Sequence, residues 1–233
     1  MKLPIATLPL LFAMAFHGGV LRGQAVRAST REPVENAPVA DYLASPIRSN
    51  SSVPAGPFKR PAIAELTDGR QMLPVNVHWW RGLDALPFGS SDLVIDGVVT
   101  SAKAVLSIDR SEVNSEFTVK INKVHKTGPA VAESIVVTRR GGRVRFPSGR
   151  IQNYSIHGQG FPVAGSRYVF FLKQSLDVGS YSVLTGYEIN AGHITPLDGK
   201  RAGASQLPFD TYDGASESAF DLALETAGKS AHQ

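Results

Sequence analysis

Residues 93–100 read LVIDGVVT, and the fold turns on them. Both side-chain parities are apolar except at Asp96, and Ser91-Asp92 bounds the run, which predicts a strand buried on both faces. Gly97 inside the run marks a bulge or sharp bend, as a strand that curls around a barrel requires. The strand is expected to continue through Ala102 towards Leu106, with a polar turn over Ile108 to Asn114.

Downstream, Ser115 to Lys126 alternates: Phe117, Val119 and Ile121 lie on one face, Glu116, Thr118, Lys120 and Asn122 on the other. Val124 falls on the opposite parity, so a bulge is predicted near Asn122-Lys123. Thr127-Gly128-Pro129 turns the chain. Ile135-Val136-Val137-Thr138 is the next strand, broken by Arg139-Arg140-Gly141-Gly142. Arg143-Val144-Arg145-Phe146 then alternates arginine with apolar residues, and Pro147-Ser148-Gly149 turns into Ile151 to Ile156. After a loop from Gly158 to Gly165, Tyr168-Val169-Phe170-Phe171-Leu172 is apolar on both faces and therefore central. Tyr181 to Leu184 is a further strand, and Tyr187 to Ile194 is a hairpin with a glycine-containing tip. Many short strands without an intervening helical period define a mostly β fold; the bent first strand selects a small OB-like Greek-key β-barrel.

Three stretches carry a resemblance. DLVIDGVV (92–99), FTVKINKVHKTG (117–128) and GSRYVFFL (165–172) resemble strands of the netrin-like OB domain typified by tissue inhibitors of metalloproteinases, in a cysteine-free bacterial form. GGRVRFPSG with HGQGFP resembles a group of exported bacterial proteins, of no assigned activity, that share that core. The resemblance spans about Ser91 to Leu197 and implies a fold more than a function. Those inhibitors chelate the protease zinc through a mature N-terminal cysteine. This chain has no cysteine, so that mechanism does not carry over.

Upstream, residues 1–28 have the order of a secretory signal: Lys2, an apolar stretch from Leu3 to Phe16, then small residues around a cleavage site after Ala28 or after Ala25. The apolar run is too short and too interrupted by Pro4 and Pro9 to span a bilayer, which needs roughly 20 residues. The alternative is an uncleaved amphipathic or anchoring N-terminus. Residues 29–74 are expected to be a Pro/Ser-rich flexible linker, with at most one helical turn at Asp41 to Ala44. Residues 75–233 form the β-barrel domain with its C-terminal helix. Trp79 and Trp80 open it, as an aromatic-ligand platform or as a plug at the domain's end. In the tail, Phe209 and Tyr212 are expected to pin the chain back. Ser216 caps a helix that buries Phe220, Ala223, Leu224 and Ala227, and Gly228 stops it.

Charge narrows the partner class. The formal net charge is +4, but Lys2, Arg22 and Arg27 lie in the first 28 residues, where there is no acid. A single net positive charge remains for the rest, so any anion-binding argument must be local. Without cysteine there are no disulfides, thiolate nucleophiles or cysteine-ligated metals. No nucleophile elbow, zinc-protease helix, P-loop or dinucleotide fingerprint occurs. No cofactor and no metal is expected.

One local feature remains. Arg139, Arg140, Arg143, Arg145 and Arg150 fall within twelve positions that contain no acid, with Phe146 and Tyr154 close by. Guanidinium forks suit carboxylate, sulfate or phosphate. For an exported, non-enzymatic binding module, a cell-envelope polyanion or an acidic protein is the expected partner, and nucleic acid is not. The plain alternative is a solvated hairpin whose arginines discourage edge-to-edge pairing. Two further readings stand beside it: a hydrolase or metal enzyme using His157 and His193 with a nearby carboxylate, and a protease inhibitor acting by loop insertion.

Overall fold

A computed structural model of the chain describes residues 36–43, 47–48, 62–65, 70–72, 79–127, 132–175, 180–204 and 207–230. The expected signal peptide, residues 1–28, lies outside them, as do residues 73–78. The described chain is mostly β with one α-helix close to its C-terminus. None of its helices is long and apolar enough to cross a membrane.

Three short strands come first: β1 (Val39–Asp41), β2 (Ile47–Arg48) and β3 (Arg70–Met72). The main strands are β4 (Leu93–Ser107), β5 (Val113–Lys126), β6 (Ser134–Arg140), β7 (Gly142–Arg145), β8 (Ile151–Ser155), β9 (Arg167–Gln174), β10 (Ser180–Asn190) and β11 (His193–Pro196). Helix α1 (Glu217–Ser230) follows. β5 pairs antiparallel with β4 and β6, β6 pairs parallel with β10, and β9 pairs antiparallel with both β10 and β4. The hydrogen bonding of these five strands thus runs β4-β5-β6-β10-β9 and returns to β4. Alternate residues fill the ring: Leu93, Ile95 and Val99, Phe117 and Val119, Ile135 and Val137, Tyr168, Phe170 and Leu172, Tyr181 and Val183 are all buried together.

The first strand curls where its sequence says it must. Its register with β5 shifts between Asp96 and Gly97, opposite Lys123 and Ile121, so Asn122 is the residue left over. A Cβ on Gly97 would lie 2.6 Å from the Lys120 carbonyl oxygen and 2.6 Å from Val119 Cγ1. Only glycine lets the two backbones approach that closely. The β10–β11 tip turns at Ala191 and Gly192, with φ of 49° and 76°.

Two further cores lie outside the ring. In one, Val94, Val169, Phe171, Tyr187 and Ile189 receive Phe209, Phe220 and Leu224 from the tail, with Trp79 and Trp80 at the margin. Trp79 stacks on Phe209 at 5.9 Å and Trp80 meets Trp79 edge-on, so the pair closes this core rather than standing clear as a platform. Ser216 Oγ accepts the Ala219 N–H at the start of α1, as the cap predicts. The helix runs through Gly228 to Ser230, two residues past the expected stop.

In the other core, the hairpin β7–β8 lays Val144, Phe146 and Tyr154 on Ala104, Leu106 and Val113. Its outer edges take up parts of the expected linker: β1 pairs parallel with β7 and β3 parallel with β8. Ala37, Ala40 and Ile63 are buried, so the described parts of residues 29–74 belong to the packed structure. Asp41 ends a strand instead of starting a helical turn.

Candidate functional site: the arginine hairpin

The five arginines do not share one environment. β6 places Ile135, Val137 and Arg139 on the side that faces the ring, so Arg139 is carried inward. Its Nη2 donates to Asp198 Oδ2 at 2.7 Å and its Nη1 to the Gly160 carbonyl at 2.7 Å. Asp198 Oδ1 accepts the Gly160 N–H at 2.9 Å. Both side chains are essentially inaccessible, at 1% and 0% exposure. The Trp79 ring lies 6.0 Å from the guanidinium carbon. The expectation for Arg139 therefore needs correction: no external ligand reaches a guanidinium held inside the fold by a buried carboxylate.

The other four lie on or beside the hairpin. Arg140 Nη2 is 3.0 Å from Glu112 Oε1, in the turn between β4 and β5. Arg143 and Arg145 alternate with buried Val144 along β7, as the sequence pattern required. Arg145 Nη1 meets Asp41 Oδ1 of β1 at 3.3 Å, both side chains being half-exposed. Arg150 Nε lies 3.7 Å from Glu65 Oε1, which also accepts the Ser148 hydroxyl at 2.5 Å. A run without acids in sequence is thus studded with carboxylates in space, each brought from a distant segment. Tyr154, on the buried face of β8, donates to Gln152 Oε1 at 2.9 Å, and burial with the nearby Tyr42 pushes its phenol up to about 12.

Beside α1 stands a second ionic node. Arg167 grips Asp96 through Nε and Nη2, and its Nη1 reaches Glu217 Oε1 at 2.8 Å. The Asp96 hydrogen bonds raise the Arg167 pKa, against the effect of burial. Asp96 is buried, Arg167 half-exposed, and the pair ties the first turn of α1 to the wall of the ring.

Of the histidines, His125 lies close enough to this second node to feel the charges of Asp96 and Arg167. His157 and His193 are exposed, and the His157 carbonyl accepts the Trp79 indole N–H at 2.9 Å. His78 lies outside the described residues. His125 is half-buried on β5; burial, then Lys123, lowers its pKa. Both oxygens of Asp198 are committed to Arg139 and Gly160. Among the described residues no three His, Asp or Glu side chains gather in a group able to hold a metal ion. A shallow apolar groove beside α1, lined by Leu86, Tyr212, Leu222 and Ala223, offers no charged group to orient a ligand.

Sequence reasoning missed Asp41, Glu65 and Glu112 as partners of the arginines. No short-range signal marks them, because the contacts reach across 28 positions for Glu112 and 104 for Asp41. Arg139 did leave a sign, since it shares the parity of Ile135 and Val137.

A scan against protein-family models finds no match, and a search of curated proteins finds none that is similar.

Proposed function

We propose that this chain is an exported, non-enzymatic interaction module that recognises an anionic partner, an acidic protein before a polyanionic glycan, through Arg140, Arg143, Arg145 and Arg150. One observation carries the reading: Arg145 and Arg150 of the hairpin sit 3.3 and 3.7 Å from carboxylate oxygens, and Arg140, at the end of β6, sits 3.0 Å from another. Carboxylate is the anion these forks are already set to hold. The Arg145 and Arg150 contacts are open to solvent, where an ion pair is worth only about 0.2–1 kcal/mol and can be exchanged, whereas the Arg140 contact is more enclosed because Glu112 is buried.

The order in which the five strands join, with its one parallel contact between the third and the fifth, supports an OB-type Greek-key barrel. The netrin-like resemblance is proposed for the fold alone. Export rests on the signal-like order of residues 1–28, and with it goes the preference for an envelope partner over nucleic acid.

Site-specific photo-crosslinking tests the reading. A photoreactive residue in place of Pro147, at the exposed hairpin tip, is expected to capture a partner with an acidic segment in the cell envelope, and Arg143→Ala with Arg145→Ala is expected to abolish capture. Capture that is indifferent to both arginines, or that occurs equally from exposed Thr211 outside the hairpin, contradicts it.

A further inference from the structure

We propose that β1 is an internal strap on the arginine hairpin, and that the partner is an acidic, extended polypeptide segment that replaces it by adding a strand to β7. This rests on the proposed function and specifies both the partner's form and what controls access to the surface.

The edge of β7 is filled by only three residues of the chain's own approach segment, with Val39, Ala40 and Asp41 opposite Arg143, Val144 and Arg145. Backbone hydrogen bonds fix it: the Arg143 N–H donates to the Pro38 carbonyl and the Tyr42 N–H to the Arg145 carbonyl, each at 2.9 Å. The carboxylate of Asp41 sits on Arg145. At the opposite edge β3 pairs with β8, and Glu65 sits on Arg150 and Ser148. At the β7 edge the hairpin therefore already holds, from within its own chain, extended backbone bearing a carboxylate.

Such an occupant is a stand-in for a ligand of the same chemistry. Edge strands present unpaired N–H and C=O groups that a peptide strand satisfies and a sulfated polysaccharide does not. The strap is also weakly held. Its buried anchors are the small side chains of Ala37 and Ala40, helped by Tyr42, which stacks on Phe146 at 5.1 Å and lies 4.7 Å below Arg110. Its ion pair is half-exposed on both sides. A longer acidic strand gains the same backbone bonds and more arginine contacts, so it can displace β1.

The test uses the full chain and a fluorescent peptide with the sequence of residues 36–43, NAPVADYL, read by anisotropy and by hydrogen exchange. Asp41→Lys, which sets the strap against Arg145, is expected to bind the peptide up to about fivefold more tightly than the wild-type chain, the scale of one exposed ion pair. Asp41→Asn gives a smaller step in the same direction and guards against misfolding of the first variant. Adding Arg145→Ala removes the gain. In the wild-type chain, saturating peptide is expected to speed exchange of the Tyr42 amide while the Arg143 amide stays protected by the incoming strand.

Equal, Arg145-dependent binding by wild-type and Asp41 variants, with Tyr42 exchange unchanged, overturns the strap while leaving the proposed function standing. Binding of heparin in place of the peptide, again without release of Tyr42, overturns the peptide-strand partner. Failure of every variant to bind the peptide, poly-glutamate or heparin overturns the proposed function itself.

Discussion

Arg139 and Asp198 meet at 2.7 Å inside the protein, one at the end of β6 and the other just beyond β11, 59 positions apart. The pair and the Gly160 backbone close one end of the ring with a buried, charge-assisted network. Removing one partner strands the other charge where water cannot reach it. Asp198→Ala or Arg139→Ala is expected to cost about 3–5 kcal/mol of stability, and an apolar pair replacing both residues is expected to cost far less. Urea midpoints for the two single variants and the double replacement check this; single variants within about 1 kcal/mol of wild type contradict it.

The second node separates two kinds of ion pair sharing one guanidinium. Arg167→Ala leaves buried Asp96 without its counter-ion and with only the long hydrogen bond from Asn122 Nδ2, so a loss on the order of 3 kcal/mol is expected. Glu217→Ala removes only the more open contact, for about 0.2–1 kcal/mol. Equal losses in chemical denaturation mean that Arg167 serves mainly to hold α1.

Gly97 tests the bend of the first strand. Since a Cβ there overlaps Lys120 and Val119, Gly97→Ala is expected to cost about 1–3 kcal/mol and to loosen the β4–β5 pairing. Thermal unfolding with amide exchange at Ile121 reads both effects. An unaltered melting temperature shows that the strand crossing tolerates a side chain.

His125 sets a pH dependence. Its folded-state pKa lies below the ordinary histidine value because burial disfavours the charged ring. The unfolded chain therefore binds the proton first as pH falls. The contribution is fully present above the unfolded value of about 6.5 and is lost as pH drops through the lower, folded value. Stability is expected to rise with pH up to about 6.5 and to level off above it, and His125→Gln to flatten that slope in denaturant midpoints taken at each pH. An unchanged slope assigns the dependence to other groups.

Much of the ring was legible in the residues. Alternation from Phe117 to Ile121, the phase slip at Val124 and the apolar run from Tyr168 to Leu172 each state a local constraint that the fold obeys, and the leftover residue falls at Asn122. The strands β1 to β3 were not legible, because each has only two or three residues and is held by an edge to which it adds. Prolines around them signal an interrupted chain, and an interrupted chain can still pair briefly. The arginine site was legible only as composition. Parity sends Arg139 inward and Arg143 and Arg145 along β7 beside buried Val144, but the acids that answer the arginines come from far along the chain. Charge without nearby acid in sequence does not mean charge without nearby acid in space.

The central claim is that Arg143 and Arg145, with their neighbours on the hairpin, form the recognition surface. Its most direct test is the affinity of the full chain for poly-glutamate across a salt series, compared with the Arg143→Ala, Arg145→Ala double variant. The expected result is at least a tenfold loss of affinity at low salt and a shallower dependence on salt, as fewer ion contacts are made. Affinity and salt dependence both matching wild type would contradict the claim and leave the arginines as a solvated edge that only keeps sheets apart.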